Sequence, residues 1–326
     1  MKLAILGAGS IANRVADTIR QIPQIECYAV AARDIDRAKE LAKRCGFVKA
    51  YGSYEEMLSD PEVQLVYVTT PHSHHYQHMK LCIEHGKHVI CEKAFTVNAD
   101  QAREIARLAK EKGVYVAEAI WTRYMPSRDM INEVLSSGLI GTVNTLTANL
   151  SYDIDHVKRI KEPVLAGGAL LDIGVYGLNF AFMHFGTDYS RMESSVFMTE
   201  TGVDGMETIT LFYPDGRMAV LTHSVYARSD RKGIFHGDKG YAVVENINNP
   251  QSISIYDGED VLVKHIEVPE QISGYEYQFI EAVRCIQEGK IESKSMPLSE
   301  SVKVMEEMDK LRSEWQMKYP QDIEAV

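Results

Sequence analysis

Residues 65–95 read LVYVTTPHSHHYQHMKLCIEHGKHVICEKAF. Leu65 to Val68 is a short apolar run, as a strand buried in a parallel sheet requires. Thr70-Pro71 ends it, because proline cannot continue a central strand. His75 to His85 is predicted as a helix, with Gly86 as its stop. Lys87 to Cys91 is the next strand, and Glu92-Lys93 falls just past its carboxyl end. Open α/β sheets bind ligands at that edge. A lone lysine there is ordinarily a solvated surface residue. Lys93 stands out only through its company, upstream and downstream.

Upstream, Lys2 to Leu6 reads as a strand and Asn13 to Gln21 as a helix. Between them lies Gly7-Ala8-Gly9-Ser10-Ile11-Ala12, a G-x-G-x-x-A dinucleotide fingerprint. Gly7 permits a tight turn, and Gly9 leaves room for a pyrophosphate. Ala12 lets the helix sit close on the strand, and the helix N-terminus faces the anion. The second strand, Glu26 to Ala32, ends in Arg33-Asp34. An acid there favours NAD through the ribose; an arginine accommodates the 2′-phosphate of NADP. Asp34 also suits the N-cap of a helix from Ile35 to Cys45. That leaves Arg33 for the phosphate, so NADP is expected over NAD. Ser53 and Glu56 form a capping-box pattern. Further helix over Ala99 to Lys112 and strand over Val114 to Ala117 complete a repeated strand–helix pattern, hence a parallel sheet covered on both faces.

Composition fits this reading. A chain of 326 residues and 36.7 kDa is expected to hold two domains, divided as 1–121 and 122–326. The net charge of −11 argues against nucleic acid. No uninterrupted apolar run long enough to span a bilayer is expected, and no membrane partner. No signal peptide is recognisable, and five cysteines without paired or metal-ligand spacing read as reduced thiols, so a cytoplasmic location is expected. His72, His74, His75 and His78 cluster, but their spacing fits no closed metal set, and no metal is expected.

After Thr142 the pattern changes to long alternating strands with few helices between them. These predict an α+β second domain with a large open, mainly antiparallel sheet. Helices on one face would leave the other to a partner, so a homodimer through that sheet is expected. Two late helices, Tyr275 to Gln287 and Ser299 to Met317, are expected to pack back on the first domain. Gly167 to Leu178 opens a helix on which Asp172 and Tyr176, four apart, share a face. Gly174 and Gly177 would leave room beside it for a backbone or a ligand. Taken alone, that segment reads first as a helix packed closely on the sheet, with Tyr176 a core residue.

These motifs together resemble the Gfo/Idh/MocA oxidoreductases over nearly the whole chain. The likeness rests on the Gly7 to Ala12 turn, on Thr70-Pro71-His72-Ser73-His74-His75, on Gly86 to Lys93, and on Gly167 to Tyr176. Within the family it is most similar to the branch of dimeric dihydrodiol dehydrogenases and NADP-linked xylose dehydrogenases. Ala31 to Asp34, Glu118 to Arg123 and Leu171 to Tyr176 carry that closer likeness. The resemblance implies a Rossmann domain followed by a substrate-binding and dimerisation domain. It implies Lys93 as the catalytic lysine, Asp172 as the conserved acid, and Tyr176 where much of the family has histidine. Ser10, Ile11, Thr70, Pro71, His72, His75 and Glu92 would join Gly7, Gly9, Ala12 and Arg33 around the cofactor. Two departures stand out: Ala94 follows the lysine where the family usually has proline, and His72 replaces an asparagine.

The implied chemistry is hydride transfer between a nicotinamide and a hydroxyl or carbonyl carbon of a sugar or cyclic trans-diol. Tyr176 is the expected acid/base, with Lys93 supplying the cation that a tyrosine titrating near ~10 needs. Lys93 as direct proton carrier is the competing assignment. Trp121 and Arg123 are candidate pocket residues, with Trp121 equally suited to core. The rivals are an NAD-linked cyclitol or sugar dehydrogenase using Asp34, and a non-catalytic NADP sensor.

Overall fold

A computed structural model describes all 326 residues. They divide into two units: residues 1–124 with 271–309 and 320–326, and residues 125–270 with 310–319.

The first unit alternates strand and helix: β1 (Lys2–Leu6), α1 (Ser10–Ile19), β2 (Glu26–Ala31), α2 (Ile35–Cys45), β3 (Lys49–Tyr51), α3 (Tyr54–Ser59), β4 (Leu65–Val68), α4 (His72–Glu84), β5 (His88–Glu92), α5 (Ala99–Lys112) and β6 (Val116–Ala119). The six strands pair in parallel in the order β3-β2-β1-β4-β5-β6. The chain reverses direction across the sheet between β1 and β4, which is where such sheets open a ligand crevice. β4 is buried at every position, because helices cover both faces. Helix α9 (Glu276–Gln287), far along the chain, joins this unit: Phe279, Ala282, Val283 and Cys285 share a core with Leu3, Ile5 and Tyr67.

Some boundaries and caps differ from expectation. Helix α4 begins at His72 rather than His75, since Pro71 is already extended at its N-cap and leaves the next residue free to turn. β6 lies two residues later than predicted, which puts Glu118 inside the strand. Ser53 accepts from the Glu56 amide at 3.3 Å, but its hydroxyl donates to Glu55, so only half of the predicted capping box forms.

The second unit contains α6 (Ser127–Ser136), β7 (Val143–Ser151), α7 (Lys158–Lys161), α8 (Val175–Phe185), β8 (Arg191–Met198), β9 (Asp204–Phe212), β10 (Met218–Ser224), β11 (Gly233–Gly237), β12 (Gly240–Val244), β13 (Ser252–Asp257) and β14 (Leu262–Glu267). They form an eight-stranded sheet ordered β14-β13-β12-β11-β7-β10-β9-β8. Every neighbouring pair is antiparallel except the interior β7–β10 pair, which is parallel. β14 was not anticipated: its LVKHIE is largely exposed, so it lacks the alternation that marks a half-buried strand. Helix α10 (Leu298–Glu314) and the short α11 (Gln321–Glu324) end the chain.

Residues 163–185 are long and apolar enough to cross a membrane, with mean hydropathy 1.5, against expectation. An 18-residue window within it is 89% buried, and α8 packs on β7 and β10, so this is the core helix of the unit. Asp172 and the glycines interrupt its apolar run, which is why the sequence shows no continuous apolar stretch there.

Candidate functional site

The edge of the first sheet brings three motifs together. Gly7 has φ +105°, and a Cβ there would lie 3.0 Å from Thr69 Oγ1, so only glycine holds this turn. At Gly9 a Cβ would have only the Thr69 carbonyl within 4 Å, at 3.8 Å; otherwise it would project into open space. No side chain caps α1, and no acid occupies its first turn. The cradle and the uncapped amides fit a dinucleotide pyrophosphate.

At the end of β2, Asp34 Oδ1 accepts from the Asp36 amide at 3.0 Å and caps α2. Arg33 is exposed beside it. Arg37, one turn along α2, donates to the Ala8 carbonyl at 2.8 Å and ties that helix to the glycine turn. Sequence reading did not single it out; its i+4 spacing from Arg33 was the available signal.

His75 is the brace between the strand ends. Its Nδ1 lies 2.8 Å from the Ala94 carbonyl and its Nε2 2.8 Å from the Thr70 carbonyl. Carbonyls only accept, so both contacts are satisfied at once only by an imidazolium. Burial pulls harder the other way, pushing the ring down to about 4. At neutral pH the ring is therefore neutral and donates to one carbonyl at a time. Either way it ties the backbone after β4 to the backbone after β5. His72 is buried, with its ring edge-on to His75 at 5.6 Å.

Glu92 is buried at the end of β5, and Tyr67 donates to it. Lys93 follows, half-buried, with a cis peptide to the buried Ala94. Glu118 is a further candidate residue, to which sequence reading gave no role. It is 1% exposed and accepts from the Phe95 amide at 3.1 Å. Burial raises its carboxyl to about 7, against Arg123 and hydrogen bonding, which lower it. Trp121 stacks on Tyr275, centroids 4.0 Å apart, and Arg123 Nη1 pairs with Glu300 at 3.3 Å. Both are buried in a 3-10 turn, Trp121–Tyr124.

In the second unit, Leu170–Gly174 is a π-helical turn running straight into α8. The expected regular helix is thus wider where Asp172 sits, and Asp172 and Tyr176 are not related by a simple α-helical repeat. Asp204 Oδ2 accepts from the Leu170 amide at 2.5 Å and anchors the start of the turn. Arg159 pairs with Asp172 at 2.7 Å. Asp172 and Tyr176 are 4% and 8% exposed.

The room expected beside Gly174 and Gly177 is already filled. A Cβ on Gly177 would lie 2.0 Å from His223 Nε2, and one on Gly174 would lie 2.6 Å from Glu207 Oε1. The glycines admit these two buried side chains of β9 and β10, not a ligand. Burial raises Glu207 to about 8 and lowers His223 to about 4. At neutral pH they are an uncharged pair, with Nδ1 and Oε1 3.1 Å apart.

Comparison with known proteins places this geometry. Residues 1–119 match the Gfo/Idh/MocA model described as an oxidoreductase family with an NAD-binding Rossmann fold, and residues 129–243 match the family's C-terminal domain. The chain is 35% identical over 335 residues to mouse trans-1,2-dihydrobenzene-1,2-diol dehydrogenase, covering 99% of each protein. It is 33% identical to the human protein of that name, again over 99% of each. Among solved structures, KijD10, a 3-ketoreductase from Actinomadura kijaniata in complex with NADP and TDP-benzene, superposes with TM-score 0.88 at 22% identity, covering 96% of this chain and 97% of that one. An aldose-aldose oxidoreductase from Caulobacter crescentus gives 0.87 at 20% identity over 97% of both chains. With both domain models matched and relatives above 30% identity over full length, the chain belongs to the Gfo/Idh/MocA family and is an NAD(P)-dependent dehydrogenase/reductase.

Proposed function

We propose that this enzyme interconverts a hydroxyl and a carbonyl on a sugar or cyclic trans-diol, with NADP as the preferred cofactor. The observation that carries the reading is the shared sheet edge: the open Gly9 cradle, Arg33 and Lys93 all follow carboxyl ends of parallel strands. The full-length likeness to dihydrodiol dehydrogenases supports the diol class. The KijD10 and aldose-aldose oxidoreductase folds keep sugars in view.

Gly7, Gly9, Ser10, Ile11 and Ala12 would hold the pyrophosphate, with Arg33 on the 2′-phosphate. Asp34 Oδ1 already serves as a helix cap, which argues against its use as an NAD ribose ligand. A bound nicotinamide supplies the hydride acceptor or donor. Thr70, Pro71, His72, His75 and Glu92 shape the strand ends where it would lie. Tyr176 takes the substrate's hydroxyl proton during oxidation and returns it during reduction. The Lys93 ammonium lowers the cost of the phenolate and holds the substrate oxygen. Asp172 orients a second hydroxyl or the lysine. Trp121 and Arg123 bound the pocket. The second unit serves substrate binding and pairing of two copies; exposed Phe197, Met206 and Tyr226 support a homodimer through its sheet. Five free cysteines suit a cytoplasmic setting.

A fluorescence titration with NADPH and NADH tests the cofactor, and steady-state assays with Lys93→Met test the chemistry. NADPH binding preserved in Lys93→Met, with turnover abolished, is the expected result. Full turnover in that variant would sink the mechanism.

A further inference from the structure

Three side chains outside the fingerprint, His74, His78 and Tyr54, lie within electrostatic reach of Arg33. His74 and His78, on successive turns of α4, stack with centroids 5.6 Å apart and planes 28° from parallel. Tyr54, opening α3, meets His78 edge-on at 4.9 Å. Both Arg33 and Arg37 lie close enough to act electrostatically on the Tyr54 hydroxyl. Each histidine uses Nδ1 locally: Ser73 Oγ is 2.8 Å from that of His74, and Thr70 Oγ1 is 2.9 Å from that of His78. Their Nε2 atoms carry no protein hydrogen bond. Three elements thus build an aromatic, cationic wall where the adenosine end of a dinucleotide would fall.

Resting on the NADP reading above, we propose that His74 and His78 are a proton-linked specificity element. A 2′-phosphate seated on Arg33 draws one proton onto the stacked pair, so NADP(H) binding takes up a proton and NAD(H) binding does not.

The charges around the pair support this direction. Without ligand, burial and then Arg33 hold His74 below the ordinary imidazole range. Burial is also the main cause for His78, which sits at about 4; His74, His75 and Arg33 add to the depression, and Glu55 alone opposes it. Both rings are therefore neutral at pH 7. A phosphate carrying up to two negative charges reverses the local field and favours the imidazolium. Two cations on stacked rings repel, so the pair takes one proton rather than two. A group raised from below ambient pH on binding makes affinity climb as pH falls through the interval between its free and bound values. Below about 6 the phosphate itself begins to protonate and the gain levels off.

The test is calorimetric binding of NADPH and of NADH to the full chain at pH 8.0, 7.25 and 6.5, in non-phosphate buffers of different ionisation enthalpy. Expected are a roughly three- to tenfold tighter NADPH Kd at the lowest pH, a net uptake of half a proton or more, and flat behaviour for NADH. In His74→Gln/His78→Gln the uptake disappears, while NADH affinity and far-UV dichroism report an intact fold. His74→Gln alone, at a half-buried position, is the milder check. NADPH binding without proton uptake, or uptake surviving in the double variant, overturns the inference and leaves the NADP reading standing. Binding of neither nucleotide overturns the NADP reading, and this inference with it.

Discussion

The Arg159 guanidinium forks onto the Asp172 carboxylate, Nη1 at 2.7 Å from Oδ1 and Nη2 at 3.3 Å from Oδ2. Asp172 is almost wholly buried, whereas the Arg159 side chain is 47% exposed. The arginine thus reaches from the surface to neutralise and aim a carboxylate in the π-helical turn. Arg159→Ala should cost about 1–2 kcal/mol of stability, because it strips a charged partner from a buried acceptor. It should cost more in kcat than in KM, because Asp172 loses its orientation. Arg159→Lys keeps the charge without the fork and should fall between. Urea unfolding together with steady-state kinetics on the three proteins checks this; equal kinetics in all three would show that the pair is only structural.

Gly177→Ala pits two effects against each other. Alanine gains about 1 kcal/mol of helix propensity over glycine. Its Cβ, however, would lie 2.0 Å from the buried His223 ring, which packing holds in place. Overpacking of this kind typically costs about 1–3 kcal/mol, so the net effect should be destabilising. In a His223→Ala background the clash is gone, and the same substitution should become neutral or stabilising. A double-mutant cycle by chemical denaturation measures the coupling; additive effects would mean that the ring moves aside freely.

Much of the first unit was legible from the chain alone, and the reason is local. The glycine turn, the Asp34 cap and the strand ends are written in contiguous residues, and a parallel sheet repeats one strand–helix unit. What escaped was set by distant residues. Glu118 becomes a buried acid only because β6 starts two residues later than its apolar run suggests. The π-helical turn owes its start to Asp204, 34 positions away from the amide it caps. The close packing of the Gly174–Gly177 helix was legible, but its partners were not, because nothing near those glycines in sequence announces Glu207 and His223. The parallel β7–β10 pair was hidden for the same reason: alternation signals a strand but not the direction of its neighbour.

The neutral Glu207–His223 pair should shape the pH dependence of stability from both sides. Glu207 is raised to about 8 in the fold, above its unfolded value near ~4.3. The folded state then holds a proton that the unfolded state has lost, so stability falls as pH rises through that window. His223 is lowered to about 4, below its unfolded value near ~6.5, so stability falls as pH drops from the one towards the other. The two slopes oppose each other between about 4.3 and 6.5, so Glu207→Gln should flatten the fall above about 6.5 and uncover a rise with pH below it, whereas His223→Gln should extend the fall down towards about 4.3. Urea midpoints from pH 4 to 9 test both; an unchanged alkaline limb in Glu207→Gln would assign that slope elsewhere, with Glu118, raised to about 7, the next carboxyl to replace.

Tyr176→Phe separates the two proton-transfer assignments. The phenol sits at the start of α8, 8% exposed, just after the turn held by Asp204 and Arg159, so removing its oxygen should leave the fold intact. If the hydroxyl carries the proton, turnover should drop by roughly 10²–10⁴ with NADPH affinity unchanged. If Lys93 carries it directly, Tyr176→Phe should lose no more than a hydrogen bond, about tenfold or less. The pH profile discriminates further. A tyrosine acid/base beside a cation gives a kcat/KM limb that disappears in Tyr176→Phe, whereas a lysine carrier leaves the limb in place and lowers its height. A preserved limb with near-normal turnover would transfer the acid/base role to Lys93 and leave Tyr176 as a wall of the pocket.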